Sequence, residues 1–206
     1  DLKALASNPQ ATNRSWHPAT PAPAPKPAVK TRFSDVPTHA AFYAEIEWLA
    51  SRKITTGYGD GTFRPDQSVE RGAMAAYFYR MAGSPAVNLP KTSPFLDVPT
   101  NHPFYKEIVW MHQRGITTGY GDGTFRPNEA VSREATAAFL YRYSGSPAIP
   151  AAHGSGFKDV RANNSFYREI IWLESRKITA GYGDGTFRPY DSVSRGAMAA
   201  FLYRMR

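Results

Sequence analysis

The sequence predicts a mainly α-helical protein: three helix-loop-helix repeats closed into a pseudo-threefold assembly. Three observations predict it. First, Phe33, Phe95 and Phe157 each open an F-x-D-V segment, at a step of 62 residues (95 − 33 and 157 − 95). The same step links Trp48, Trp110 and Trp172, with no insertion or deletion between them. Comparing 33–82 with 157–206 gives 34 identities in 50 positions, so one structural unit is used three times. Second, each copy carries two stretches of helical periodicity around a glycine-rich segment that cannot be regular helix. Third, two short helices cannot bury their apolar faces alone, whereas three neighbouring pairs can. Closing three identical steps into a cluster leaves no exposed end faces, which an open solenoid would.

Residues 1–32 stand outside the repeat. Pro18 to Pro27 alternates proline with small residues and predicts an extended, semi-rigid linker. The repeats follow at 33–94, 95–156 and 157–206. The chain starts at Asp1 rather than at Met, so it is read as a fragment or processed form. Its expected place is the C-terminal end of a longer protein, with a cargo domain before Asp1.

In the first repeat Phe42, Ile46, Leu49 and Ala50 recur at helical spacing and predict a helix over 40–53. Asn101 and Asn163 are the expected N-caps of the equivalent helices. Gly57-Tyr-Gly-Asp-Gly-Thr-Phe-Arg-Pro65 follows as a loop, with one short extended piece expected at Thr62 and Phe63. The second helix is predicted over 69–81. Ser132 and Ser194 stand where its N-cap belongs, and Gly83 and Gly145 suit the position just past its end.

Net charge is +8, which favours an anionic partner: nucleic acid, anionic lipid or an acidic polymer. The positive residues are spread through loops and helix ends rather than along one helix stripe, which argues against nucleic acid. There is no cysteine, which excludes disulfides and thiolate metal sites. No apolar run approaches the roughly 18–20 residues that span a bilayer. The five histidines do not recur: stepping from His39 reaches Asn101 and Asn163, and His112 matches Ala50 and Glu174. No catalytic triad or metal-spaced cluster forms, so neither an enzyme nor a cofactor is expected.

The arginines that do recur are Arg71, Arg133 and Arg195, each in the first turn of a second helix. A cation there opposes the macrodipole, so the position needs a compensating group. An anion held by the guanidinium and free helix N–H groups would supply it; a structural bridge to a nearby Asp is the other reading. Gly57, Gly119 and Gly181 serve either a left-handed turn or close backbone approach by a ligand. Asp60, Asp122 and Asp184 offer one carboxylate per loop, too few for calcium, and read as turn residues. Asp35, Asp97 and Asp159 read as braces, and Arg64, Arg126 and Arg188 as solvated. The three Trp sit on an amphipathic helix and read as packing more than as sugar-stacking platforms.

Taken together, I-T-[TA]-G-Y-G-D-G-T-F-R-P, V-[ES]-R, F-x-D-V and F-Y-x-E-I-x-W, in order and in register over 33–206, resemble the S-layer homology domain family. The resemblance implies a non-catalytic extracellular module that attaches exported proteins to anionic, often pyruvylated, bacterial cell-wall polysaccharide. It implies repeats around a central helical bundle, with ligand grooves between neighbours. The family's Thr-Arg-Ala-Glu-like tetrad matches Glu70-Arg71-Gly72-Ala73, Ser132-Arg133-Glu134-Ala135 and Ser194-Arg195-Gly196-Ala197 at the Arg alone in all three. On that basis Arg71, Arg133, Arg195, Gly57, Gly119 and Gly181 are the expected ligand-binding residues. Glu70 makes the first groove the expected weakest for an anion. A module for self-assembly into a surface lattice, or a basic nucleic-acid-binding module, is the alternative.

Overall fold

A computed structural model describes residues 31–149 and 154–206; the predicted linker lies, but for its last two residues, outside them. The described chain is helical: α1 (Tyr43–Ser51), α2 (Arg71–Met81), α3 (Tyr105–Gln113), α4 (Arg133–Tyr143), α5 (Tyr167–Ser175) and α6 (Arg195–Arg204). Among the described residues no strand forms, and Thr62 and Phe63 are irregular. Extended pairing falls a few residues later, as isolated antiparallel bridges Ser68–Ser194, Glu70–Ala130 and Ser132–Ser192.

Those bridges close the molecule. The Val69 N–H donates to the Val193 carbonyl, Val131 to Val69, and Val193 to Val131, each at 2.9 Å. The three valines are buried, so this cyclic set of backbone bonds sits inside the core, where leaving any of them open is costly. Helices pair across repeats: α2 packs on α3, α4 on α5, and α6 returns to α1. Each pair is marked by the same edge-on aromatic contact, Tyr79 on Trp110, Tyr141 on Trp172 and Tyr203 on Trp48, at 5.5–5.6 Å. The tryptophans pack as expected.

Each repeat is pinned internally by the F-x-D-V segment. Both carboxylate oxygens of Asp35 accept backbone N–H groups, from Phe63 at 2.8 Å and Arg64 at 2.7 Å. Asp97 and Asp159 repeat this on Phe125–Arg126 and Phe187–Arg188. The bonds seat Phe63, Phe125 and Phe187 fully in the core, where each contributes about 1.5–3 kcal/mol by burial.

The helix ends explain what the sequence anticipated and what it did not. Ser132 and Ser194 cap α4 and α6, their hydroxyls accepting from the Ala135 and Ala197 N–H groups at 3.2 and 3.1 Å. Glu70 makes no such bond to α2. Gly83 and Gly145 follow α2 and α4 at φ 84° and 81°. There the Gly83 and Ser84 N–H groups donate back to Arg80 and Tyr79, a Schellman closure. The predicted caps Asn101 and Asn163 do not cap: α3 and α5 start four residues later, at Tyr105 and Tyr167. Tight backbone turns, such as His102 N–H to the Pro99 carbonyl at 2.8 Å, fill the interval. Nearer the helix, His102 Nδ1 and Asn164 Oδ1 accept from Phe104 and Phe166.

Candidate ligand grooves between the repeats

Each second helix begins against the next repeat. The Arg71 and Gly72 N–H groups donate to the Glu129 and Pro127 carbonyls at 2.9 and 2.8 Å. Arg133 and Glu134 do the same to Asp191 and Pro189, and Arg195 and Gly196 to Gln67 and Pro65. The first helix N–H groups are therefore committed to backbone. The premise that they stand free for an anion does not hold.

The guanidiniums cross the same boundary. Arg71 Nε donates to the Phe125 carbonyl, Arg133 Nε to Phe187 and Arg195 Nε to Phe63, each at 2.7 Å. Exposure is only 6%, 5% and 8%. Each cation lies against three aromatic rings; Arg71 Cζ is 4.8, 4.7 and 5.4 Å from Tyr120, Phe125 and Phe139. Burial pushes the pKa of Arg71 and Arg133 down, because the charge is desolvated. Among the described residues no carboxylate pairs with any of the three arginines. The bridge to a nearby Asp is thus absent. The Nη donors make no described protein hydrogen bond, yet they are not sealed from solvent.

Three grooves of about 400, 410 and 370 Å³ bring the expected residues together, always from two repeats. The first joins Arg195 to Gly57, the second Arg71 to Gly119, and the third Arg133 to Gly181. The glycines are required by the fold. φ at Gly57 is 69°, and a Cβ there would stand 2.6 Å from the Thr62 carbonyl oxygen and strike the Phe33 ring. The Gly57 N–H is held by the Thr55 hydroxyl at 3.2 Å, with Thr117 and Thr179 repeating the bond.

Two recurring groove residues escaped the sequence reading. Arg80, Arg142 and Arg204 donate to the Ile54, Ile116 and Ile178 carbonyls and line the grooves as a second cation. Tyr58, Tyr120 and Tyr182 form a groove wall between the buried Arg and Arg64, Arg126 or Arg188, whose guanidiniums stack on them at 3.8–3.9 Å. The 62-residue step already marked both sets. Arg64, Arg126 and Arg188 are exposed but tied: each donates to the Asp60, Asp122 or Asp184 carboxylate at 2.9–3.0 Å. Those Asp also accept from Thr62, Thr124 and Thr186, and these bonds hold their carboxyl pKa at about 2.

The grooves differ in their carboxylates. The first is lined by Glu70 and the second by Glu134, which accepts from Asn164 Nδ2 at 3.0 Å. The third is lined by Ser194 and by no carboxylate. The first also holds Tyr77 where the others hold Phe139 and Phe201. The Tyr77 hydroxyl is buried without a hydrogen-bond partner, Thr55 standing near it but out of bonding geometry.

A closed set of three helix-loop-helix units with a cationic groove at each junction describes a repeat-built helical module. The pattern of the S-layer homology domain matches residues 32–75, 94–137 and 156–199, and the chain belongs to that family. It is similar to cell surface glycoprotein 1 of Acetivibrio thermocellus, 28% identical over 167 residues, or 74% of this chain and 7% of that one. The cellulosome-anchoring protein of the same organism is 27% identical over 153 residues, covering 72% and 34%. An endoglucanase of a Bacillus species is 29% identical over 174 residues, covering 82% and 18%. The chain thus spans at most about a third of the length of these relatives.

Proposed function

We propose that the chain is a non-catalytic anchoring module that holds an exported protein on the bacterial cell surface by binding an anionic cell-wall polysaccharide in the inter-repeat grooves. One observation carries the reading: a buried guanidinium with no carboxylate partner, repeated at all three junctions with its Nη donors unspent. A desolvated cation without a counter-ion is unfavourable, and a ligand carboxylate offsets that cost by about 1.5–3 kcal/mol per charged hydrogen bond. A pyruvyl ketal carboxylate on a sugar ring supplies such a group, and the Tyr wall beside the Arg gives the ring a face to rest on. The relatives named for the cell surface and for cellulosome anchoring support the same role, with the cargo carried elsewhere in a longer polypeptide.

The grooves rank by charge. The third has Arg133 and Arg204 and no acid, and it is the strongest anion site. The first sets Glu70 beside Arg195 and Arg80, the second Glu134 beside Arg71 and Arg142, and both are weaker. Purified cell-wall sacculi test the reading. The chain is expected to sediment with intact sacculi and to stay in solution once the polysaccharide is stripped. Sedimentation that survives stripping, or none with intact walls, overturns it.

A further inference from the structure

A further cavity lies outside the three grooves. It is a cleft of about 640 Å³ at the end of the third repeat, lined among others by Trp172, Arg176, Lys177, Arg204 and Arg206. The four cations are exposed, and among the described residues no acidic side chain lines the cleft. None of the four is in an ion pair among the described residues. The undescribed residues add one acidic side chain, Asp1. One of the cations is particular to this place. Stepping back by 62, Arg206 becomes Ser144 and Ala82, whereas Lys177 becomes Gly115 and Lys53.

A basic residue at a helix end also has a mundane role, since it complements the macrodipole. That accounts for Arg204, whose guanidinium caps the Ile178 carbonyl as Arg80 and Arg142 cap theirs. It also accounts for the charge of Lys177, which follows the C-cap of α5, but not for its φ of 57°, a left-handed conformation that favours glycine. Gly115 fills the same place at φ 67° after α3, and Lys53 at φ 59° after α1. Arg206 lies over the Tyr203 ring at 3.7 Å and has no carboxylate partner.

The cleft adjoins the third groove. Arg204 lines both, and so do consecutive residues: Lys177 and Ile178 line the cleft, Thr179 and Ala180 the groove. We propose that the cleft is a second anion subsite, continuous with the third groove through Arg204. It takes the next charged residue of the same polysaccharide strand. The inference rests on the anchoring function proposed above. It makes the third junction a reader of at least two sugar charges in sequence.

The test uses the double variant Lys177→Gly/Arg206→Ala. Neither residue lines any of the three grooves, and glycine suits the left-handed position, so the fold stays intact. Calorimetric titrations compare a monosaccharide glycoside carrying one pyruvyl ketal with a tetrasaccharide carrying two pyruvyl groups. Wild type is expected to bind the tetrasaccharide more tightly. The variant is expected to bind the monosaccharide as wild type does and the tetrasaccharide about five- to tenfold more weakly, as suits two lost charge contacts. Equal affinities for tetrasaccharide in the two proteins, or an equal loss on both probes, overturn the subsite and leave the anchoring reading standing. Binding of neither probe by wild type overturns both.

Discussion

At the scale of single residues, the helix-opening arginine does two jobs. Its Nε ties two repeats together, and its Nη donors face the groove. On the proposed reading, alanine at Arg133 is therefore expected to cost stability as well as binding. Loss of one charged hydrogen bond predicts about 1.5–3 kcal/mol in denaturant unfolding. A variant as stable as wild type would show that the Phe187 carbonyl bond contributes nothing. Tyr77 predicts the opposite sign. Its buried hydroxyl has no partner, so Tyr77→Phe, the residue type of the other two repeats, raises stability by about 1 kcal/mol and the melting temperature by about 2–4 °C. An unchanged or lower melting temperature contradicts it. The Asp184 carboxyl is held at about 2 by Thr186 and Arg188, below its ordinary value of 3.8. A depressed carboxylate pKa contributes stability that is present above the unfolded value and lost as pH falls through about 2. Carbon-13 titration of the Asp184 carboxyl checks this; a midpoint near 4 contradicts it.

The elements were legible where a local rule governs them. Ser132 and Ser194 cap because a hydroxyl at that position reaches the N–H three residues on, and Gly83 turns because its φ is left-handed. Asn101 and Asn163 misled because the same local rule was overridden: the chain spends those residues on backbone turns before Phe104 and Phe166. Phe104 then packs where a Cβ on Gly72 would come within 2.8 Å of it, a contact with another repeat. Among the three second helices Glu70 is the exception, a start without a side-chain cap. Glu70→Ser supplies one and is expected to stabilise the chain by about 1 kcal/mol in chemical unfolding. It also removes the carboxylate from the first groove, so on the proposed reading an anionic sugar is expected to bind there more tightly. Destabilisation, or weaker binding, contradicts the account.

For the whole molecule, the threefold step was plain in the sequence, but the way it closes was not. Arg71 meets a carbonyl 54 residues ahead, and Arg195 meets one 132 residues back. Spacing within one repeat carries no record of which neighbour a side chain reaches. The valine ring is made of backbone atoms, so it has no residue signature beyond three buried valines. Closure predicts one cooperative unfolding transition rather than a sum over repeats. Deleting 157–206 leaves the Val69 N–H and the Arg133 guanidinium without their partners, so the remaining chain is expected to lose amide dispersion in nitrogen-15 spectra. A well-dispersed spectrum would show that the ring is not what holds the fold.

The central claim is that the buried, unpaired arginines receive the ligand's carboxylate. Nitrogen-15 spectra of the arginine side chains test it, recorded while a monosaccharide glycoside carrying a pyruvyl ketal is added and again with its neutral counterpart. The account predicts saturable shifts of the Arg133 guanidinium first, then of Arg71 and Arg195, with the anionic sugar alone. Shifts of equal size with the neutral sugar, or binding that leaves all three guanidiniums unmoved, would contradict it.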